Sequence, residues 1–196
     1  MILFYSGAFG GADAKALMCI ALALPFYPQN IISPLFVGIS PISQLFFPLT
    51  VFSNAVLFAA LSAVYLLLRN VVWRQRTKMK LFEAEQSSES FGRKLLVLVT
   101  GYKIPFEKLK EKWHLYPLED IENIDNKPRR KLVLIPRDEG RNEIVERLEK
   151  AAQDGLIQDG VWATPGLPML IFITAGFIIA LFLGDIVWII VSFLLG

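Results

Sequence analysis

Apolar residues fall into three runs separated by one long polar block. The first runs from Ala14 to about Leu24, extended upstream by Met1–Phe9, interrupted by Gly10-Gly11-Ala12-Asp13 and closed by Pro25 and Pro28. The second, Leu45 to Leu68, has no charged residue. As a helix it is about 36 Å long at a rise of 1.5 Å per residue, enough to cross a bilayer. The third starts near Pro168 and runs to Leu195, broken by Gly184-Asp185, with Trp162, Pro165 and Pro168 leading into it. Between the first two lies a loop with Pro28, Ser33, Pro34, Ser40 and Pro41. Its bulk is apolar (Ile31, Ile32, Leu35, Phe36, Val37), which suits a membrane interface better than water.

The polar block, from Arg69 to Gly160, divides further. Arg74–Gly92 reads as a flexible arm because Glu, Gln and Ser dominate it. A small α/β unit follows. Lys94–Thr100 and Lys131–Ile135 are short Leu- and Val-rich runs that predict strands. Each precedes a predicted helix. Pro105–Trp113 spaces Phe106, Leu109 and Trp113 helically, and Asn142–Ala152 does the same with Ile144, Leu148 and Ala151 before a stop at Gly155. The predicted order is β-α-β-α. The expected fold is an α-helical polytopic membrane protein with a small α/β cytoplasmic insert: membrane helices over 1–73, the insert over 74–160, and a last membrane helix over 161–196.

Composition agrees. The chain is 54% hydrophobic and only 19% charged, whereas a soluble domain averages about 25% charged. A net charge of +2 gives no reason to expect a nucleic-acid partner. Every Lys and Arg except Lys15 lies in the polar block, and Arg69, Arg74, Arg76, Lys78 and Lys80 follow the second apolar run, with Trp73 as an interfacial anchor. By the positive-inside rule the block is cytoplasmic and the chain a multi-pass protein of the cell membrane. Cys19 is the one cysteine and reads as a packing residue. Met1–Phe9 has no basic segment ahead of it, so it reads not as a signal peptide but as the tail of a membrane helix that begins further upstream.

The chemistry concentrates at Asp13. A carboxylate flanked by apolar helix is costly and marks a functional site by default. Gly10 and Gly11 before it permit unusual backbone angles and close approach of another segment. Two structural readings compete: Asp13 pairs with Lys15, or it N-caps the helix Ala14–Leu24. His114, the only histidine, lacks the Ser or Cys neighbourhood of a hydrolase. No zinc spacing or phosphate-binding glycine loop predicts a metal or other cofactor. Lys127-Pro128-Arg129-Arg130-Lys131 reads as a solvated loop in preference to a lipid or leader-peptide contact.

Phe9-Gly10-Gly11-Ala12-Asp13-Ala14-Lys15, opening an apolar helix, resembles the second aspartate motif of the prepilin peptidases, Gly-x-Gly-Asp followed by a small residue and Lys. The archaeal preflagellin and prepilin peptidases are the most similar branch. They share an uncharged helix, a basic cytoplasmic insert and a Trp-x-Thr-Pro-x-x-Pro lead-in to the last helix, here Trp162, Thr164, Pro165 and Pro168. Ala12 stands where the motif has its second Gly. The resemblance implies an aspartic endopeptidase that cleaves the leader peptides of pilin- or flagellin-like precursors. Asp13 would be one of two catalytic aspartates, Gly10 and Gly11 would shape the bend, and Lys15 would sit beside it.

In that chemistry one ionised carboxylate activates water and a protonated one donates to the scissile carbonyl. The family's other aspartate lies upstream, at the cytoplasmic end of an early helix, and no acid precedes Asp13 here. The chain therefore reads as the C-terminal portion of such a peptidase, N-terminally truncated and lacking the first catalytic Asp. Asp185 lies about 26 Å along a helix begun at Pro168, too far to substitute. Glu119, Asp120, Asp125 and Asp138 read as a solvated charged face. The competing function is a non-catalytic membrane protein whose cytoplasmic lobe binds a partner.

Overall fold

The computed structural model describes residues 10–35, 38–83, 86–124, 127–133, 140–157 and 160–196. The expected helix tail Met1–Phe9 therefore lies outside the described residues. The chain forms two compact units. One comprises the residues up to Ser62 together with Pro168–Gly196, and the other Ala63–Leu167.

The first unit is helical. It holds α1 (Gly11–Ala23), the short α2 (Pro41–Leu45), the first half of α3 (Phe47–Thr77), α7 (Met169–Phe182) and α8 (Ile186–Leu195). The uncharged run begins its helix at Phe47 and continues past Leu68 to Thr77. This is the one described helix with the length and apolarity to cross a membrane, and α7 with α8 passes the same test as a broken pair bent by 67°. The break is at Gly184, whose φ of +93° suits a residue without a Cβ.

Side chains of α1, α3 and α7 meet in one apolar core. Phe47, Val51, Ala55, Ile173 and Ala180 are buried, and Leu17, Ile20 and Phe177 pack on them. Phe47 takes Tyr27 and Phe177 edge-on at 5.5 and 6.3 Å between ring centroids. α3 and α7 cross at Gly176, where a Cβ would stand 2.6 Å from the Val51 carbonyl oxygen and 2.7 Å from the Ala55 nitrogen. Close backbone approach through a small residue is how helices associate where no hydrophobic force separates them from lipid. Cys19, expected to pack inside, is exposed on α1. An apolar residue gains nothing by turning inward if its surroundings are lipid.

In the second unit the order is α4 (Phe91–Thr100), β1 (Tyr102–Ile104), α5 (Phe106–Glu111), β2 (Tyr116–Pro117), β3 (Glu119–Ile124), β4 (Lys127–Leu132), α6 (Arg141–Gln153) and β5 (Val161–Thr164). The predicted β-α-β-α order is thus replaced by two small antiparallel sheets. One has the order β1-β5-β2, and the other is the β3–β4 ribbon with Glu119 opposite Leu132 and Ile121 opposite Arg130. Both predicted helices form, as α5 and α6, with Leu109, Ile144, Leu148 and Ala151 buried. Trp113 is exposed and contributes nothing to that core.

Lys94–Thr100 is a helix and not a strand. Five apolar residues in a row fit either form. The start signal decides: Ser90 caps the helix by accepting from the Arg93 N–H. Lys131 and Leu132 end β4, while 134–135 lie outside the described residues. Within the stretch read as a flexible arm, α3 continues through Thr77 and Gln86 is fully buried.

A Gly176→Val substitution should force α3 and α7 apart and cost about 1–3 kcal/mol, the usual scale of overpacking. It is checked by thermal unfolding in detergent, where the expected midpoint is lower than that of the unaltered protein.

Candidate functional site

Asp13 stands in the first turn of α1 and is half-buried. The N-cap is Gly10, so Asp13 is not the cap; it is the third helical residue. Gly10 has φ −64° and ψ 153°, angles open to any residue. The glycine matters sterically: a Cβ there would stand 3.1 Å from Asp13 Oδ2. The carboxylate folds back over the start of its own helix, where free N–H groups and the helix dipole favour negative charge. Gly11 is the first helical residue, and Lys15 is exposed. Among the described residues no ion pair joins Asp13 to Lys15, and no hydrogen bond reaches the Asp13 carboxylate.

Asp185 occupies the other end of the same unit. The Tyr27 hydroxyl, just beyond α1, donates to the Leu181 carbonyl at 2.6 Å, and the Leu35 N–H donates to Phe182 O at 2.8 Å. The C-terminal end of α1 is thus anchored near the end of α7, and Asp13 lies a further helix length away, about 15 Å. Asp185 is itself committed. It is 4% exposed. It caps α8 by accepting from the Trp188 N–H at 3.0 Å. It also accepts from Ser40 Oγ at 2.9 Å and Thr50 Oγ1 at 3.3 Å. Asn54 spans the break beside it, donating to Gly184 O and accepting from the Ile186 N–H. Sequence reading missed this knot, although Ser43, Thr50 and Asn54 recur at helical spacing through an otherwise apolar run.

The acids of the second unit are occupied as well. Glu119, expected on a solvated face, is fully buried. It takes Arg130 Nη2 at 2.8 and 3.0 Å, Gln86 Nε2 at 2.6 Å and the Trp162 N–H at 3.2 Å. Arg130 therefore belongs to a core pair and not to a solvated loop, since β4 turns it inward opposite Ile121. Glu83 also pairs with Arg130, and the buried Lys103 lies 3.9 Å from Glu83. Complete burial pushes the Glu119 carboxyl above its usual range, against the pull of Arg130. Burial opposes the Arg130 charge, but Glu119 and Glu83 outweigh it and hold the guanidinium protonated. Asp120 is bridged by Arg147 at 2.7 Å. Asp125 and Asp138 lie outside the described residues. Trp162, read as a marker of the last helix's lead-in, is buried in the core and stacks on Phe82 at 5.2 Å. His114 pairs edge-on with the exposed Trp113. Among the described residues no cluster of His, Cys, Asp or Glu could hold a metal.

Residues 93–186 match the family described as Archaeal Peptidase A24 C-terminus Type II. The match supports the resemblance to the C-terminal portion of an archaeal prepilin or preflagellin peptidase. The matched residues take in the Glu119–Arg130 core, the Trp162 lead-in, α7 and the Gly184-Asp185 break. Asp13 precedes it. A comparison with curated proteins found no match.

Arg130→Met should destabilise the fold by about 3–5 kcal/mol, because it leaves the Glu119 carboxylate buried and uncompensated. The raised Glu119 pKa sets the sign with pH. Its contribution is fully present below the ordinary value of 4.5 and falls as pH rises through the folded-state value. Stability measured against pH by chemical denaturation should show that decline, and Glu119→Gln should flatten it.

Proposed function

We propose that the chain acts as a membrane-embedded aspartic endopeptidase of the prepilin and preflagellin type, with Asp13 as one of its two catalytic carboxylates. The observation that carries the reading is the match of residues 93–186 to an archaeal peptidase A24 C-terminal region. A Gly-Gly-Ala-Asp segment opening an apolar helix ahead of that region gives it a carboxylate of the right kind. Substrates would be precursors whose leader peptide is cut at the cytoplasmic face. The bilayer is the setting: α3 has the length of a span and presents Val64, Tyr65 and Leu68 outward, each more than half exposed. A soluble core helix would bury them.

The chemistry needs a dyad. The ionised carboxylate takes a proton from water, and the resulting hydroxide adds to the scissile carbonyl carbon while the protonated carboxylic acid gives its proton to the carbonyl oxygen. Collapse of the tetrahedral adduct breaks the C–N bond, and the amine leaves with a proton from the dyad. Asp13 suits this role because no other group among the described residues bonds to its carboxylate, whereas Asp185, Glu119 and Asp120 are each held by structural partners. The competing reading, a non-catalytic protein that binds through its second unit, draws on the same point: among the described residues no second carboxylate bonds to Asp13.

Two substitutions separate these readings in a precursor-processing assay, using the chain with whatever coding sequence precedes Met1 in frame. Asp13→Asn should abolish cleavage without loss of folded protein. Asp185→Asn, which keeps an acceptor for the α8 cap, should retain it. Unchanged cleavage by Asp13→Asn sinks the catalytic assignment. For topology, a cysteine placed at the exposed Ser88 should react with reagents from the cytoplasmic side only.

A further inference from the structure

The helix α4 carries an apolar stripe on its outer face. Phe91 is 80% exposed, and Leu95 and Leu96 are 42% and 48% exposed, while Val97 on the inner face is fully buried. The spacing of these positions puts Phe91 and Leu95 one turn apart, with Leu96 beside them. The stripe belongs to none of the chemistry above.

Its location is fixed by α3. Asn70 is buried and donates through Nδ2 to Leu98 O at 2.9 Å and Gly101 O at 2.8 Å, both at the C-terminal end of α4. Gly101 packs the same end of α4 tightly on the sheet: a Cβ there would meet Leu118 at 2.3 Å and the Ala163 carbonyl oxygen at 2.7 Å. Asn70 directly follows Arg69, the first charge after the apolar run, and Arg69 lies over the Tyr102 ring at 3.6 Å. The end of α4 is thus pinned at the level where the apolar run of α3 stops. Above Asn70 in sequence, α3 exposes Tyr65 and Leu68, and Val71 and Val72 follow it. Five cations and no acid lie between Arg69 and Lys80. Cations at the end of a span, together with an exposed apolar helix face pinned at the same level, are the features by which amphipathic segments lie on anionic membranes.

We propose that α4 is an interfacial helix, with Phe91, Leu95 and Leu96 seated among the acyl-chain ends of an anionic bilayer surface and the cations between Arg69 and Lys80 meeting its headgroups. The inference rests on α3 being a membrane span. It would hold the second unit against the membrane, independently of what Asp13 does. A second copy of the chain or another protein covering the stripe is the alternative occupant.

The test uses single cysteines in a Cys19→Ser background of the full chain, spin-labelled and reconstituted in vesicles of phosphatidylcholine with or without phosphatidylglycerol. Collisions with oxygen, which enters lipid, are compared with those of a water-soluble nickel chelate. Labels at positions 91 and 95 should favour oxygen, more strongly with phosphatidylglycerol present, while a label at the exposed Glu111 should favour nickel. A label at Val64 reports on α3 itself. Oxygen preference at 64 with nickel preference at 91 and 95 overturns the proposal and leaves the membrane span standing. Nickel preference at 64 overturns the span reading and the proposal with it. Protection from both reagents at 91 and 95 shows a protein cover and also overturns it. Equal oxygen preference with and without phosphatidylglycerol overturns the anionic part, because the cations then play no role.

Discussion

Backbone groups freed at a helix end need partners wherever water is excluded, and in this chain two asparagines of one helix supply them. Asn54 bridges the break between α7 and α8, donating to Gly184 O and accepting from the Ile186 N–H. Asn70 does the equivalent for the end of α4, donating to Leu98 O and Gly101 O. Both side chains are buried. In a helix built mainly of Leu, Val, Ala and Phe, a buried amide without such partners would cost about 1–3 kcal/mol. Each unit thus has a helix end tied to α3 by a buried amide. The 67° bend between α7 and α8 is tolerable because Asn54, Thr50 and Ser40 converge on Gly184 and Asp185.

The second unit follows the same rule with full charges. Glu119 and Arg130 sit side by side on the β3–β4 ribbon side facing the core, and Gln86 and the Trp162 N–H complete the carboxylate's shell. A hydrophobic pair of similar volume often stabilises as well or better, so strength alone does not account for these residues. Their effect is to fix which segments meet. Glu119 ties together the 3-10 turn at Gln86–Ser88, the ribbon and β5. That explains why a stretch of Glu, Gln and Ser, which reads as unstructured, contributes a fully buried residue.

Much of the fold was legible where a periodic pattern was long. The uncharged run gave α3, the Gly184-Asp185 interruption gave the α7–α8 break, and Ile144, Leu148 and Ala151 gave the buried face of α6. Short segments failed for a physical reason. Lys94–Thr100 is apolar at nearly every position because α4 presents apolar residues both to the core and outward, and such a pattern has no period to read. Arg130 and Glu119 were unreadable because their burial depends on each other across a turn, which no local window contains. The knot at Asp185 was readable in part. Thr50 and Asn54 are polar at helical spacing in an apolar run, but their target comes from the other end of the chain.

Among the described residues nothing bonds to the Asp13 carboxylate, unlike those of Asp185, Glu119 and Asp120. Asp185 caps a helix, Glu119 and Asp120 hold arginines, and each would leave a defect if removed. Asp13 sits on the first turn of α1 with its carboxylate folded over Gly10, where a methyl group would crowd it. A helix start gains a few tenths to about 1 kcal/mol from an acid in this turn, and that gain requires neither burial nor the flanking glycine. The space kept clear beside the carboxylate is what a structural role leaves unexplained and what a reacting peptide or a second carboxylate would need. For the proposed chemistry the partner must approach the N-terminal end of α1, since the opposite end, near Leu181 and Asp185, is closed by the Tyr27 hydrogen bond and the Asn54 bridge.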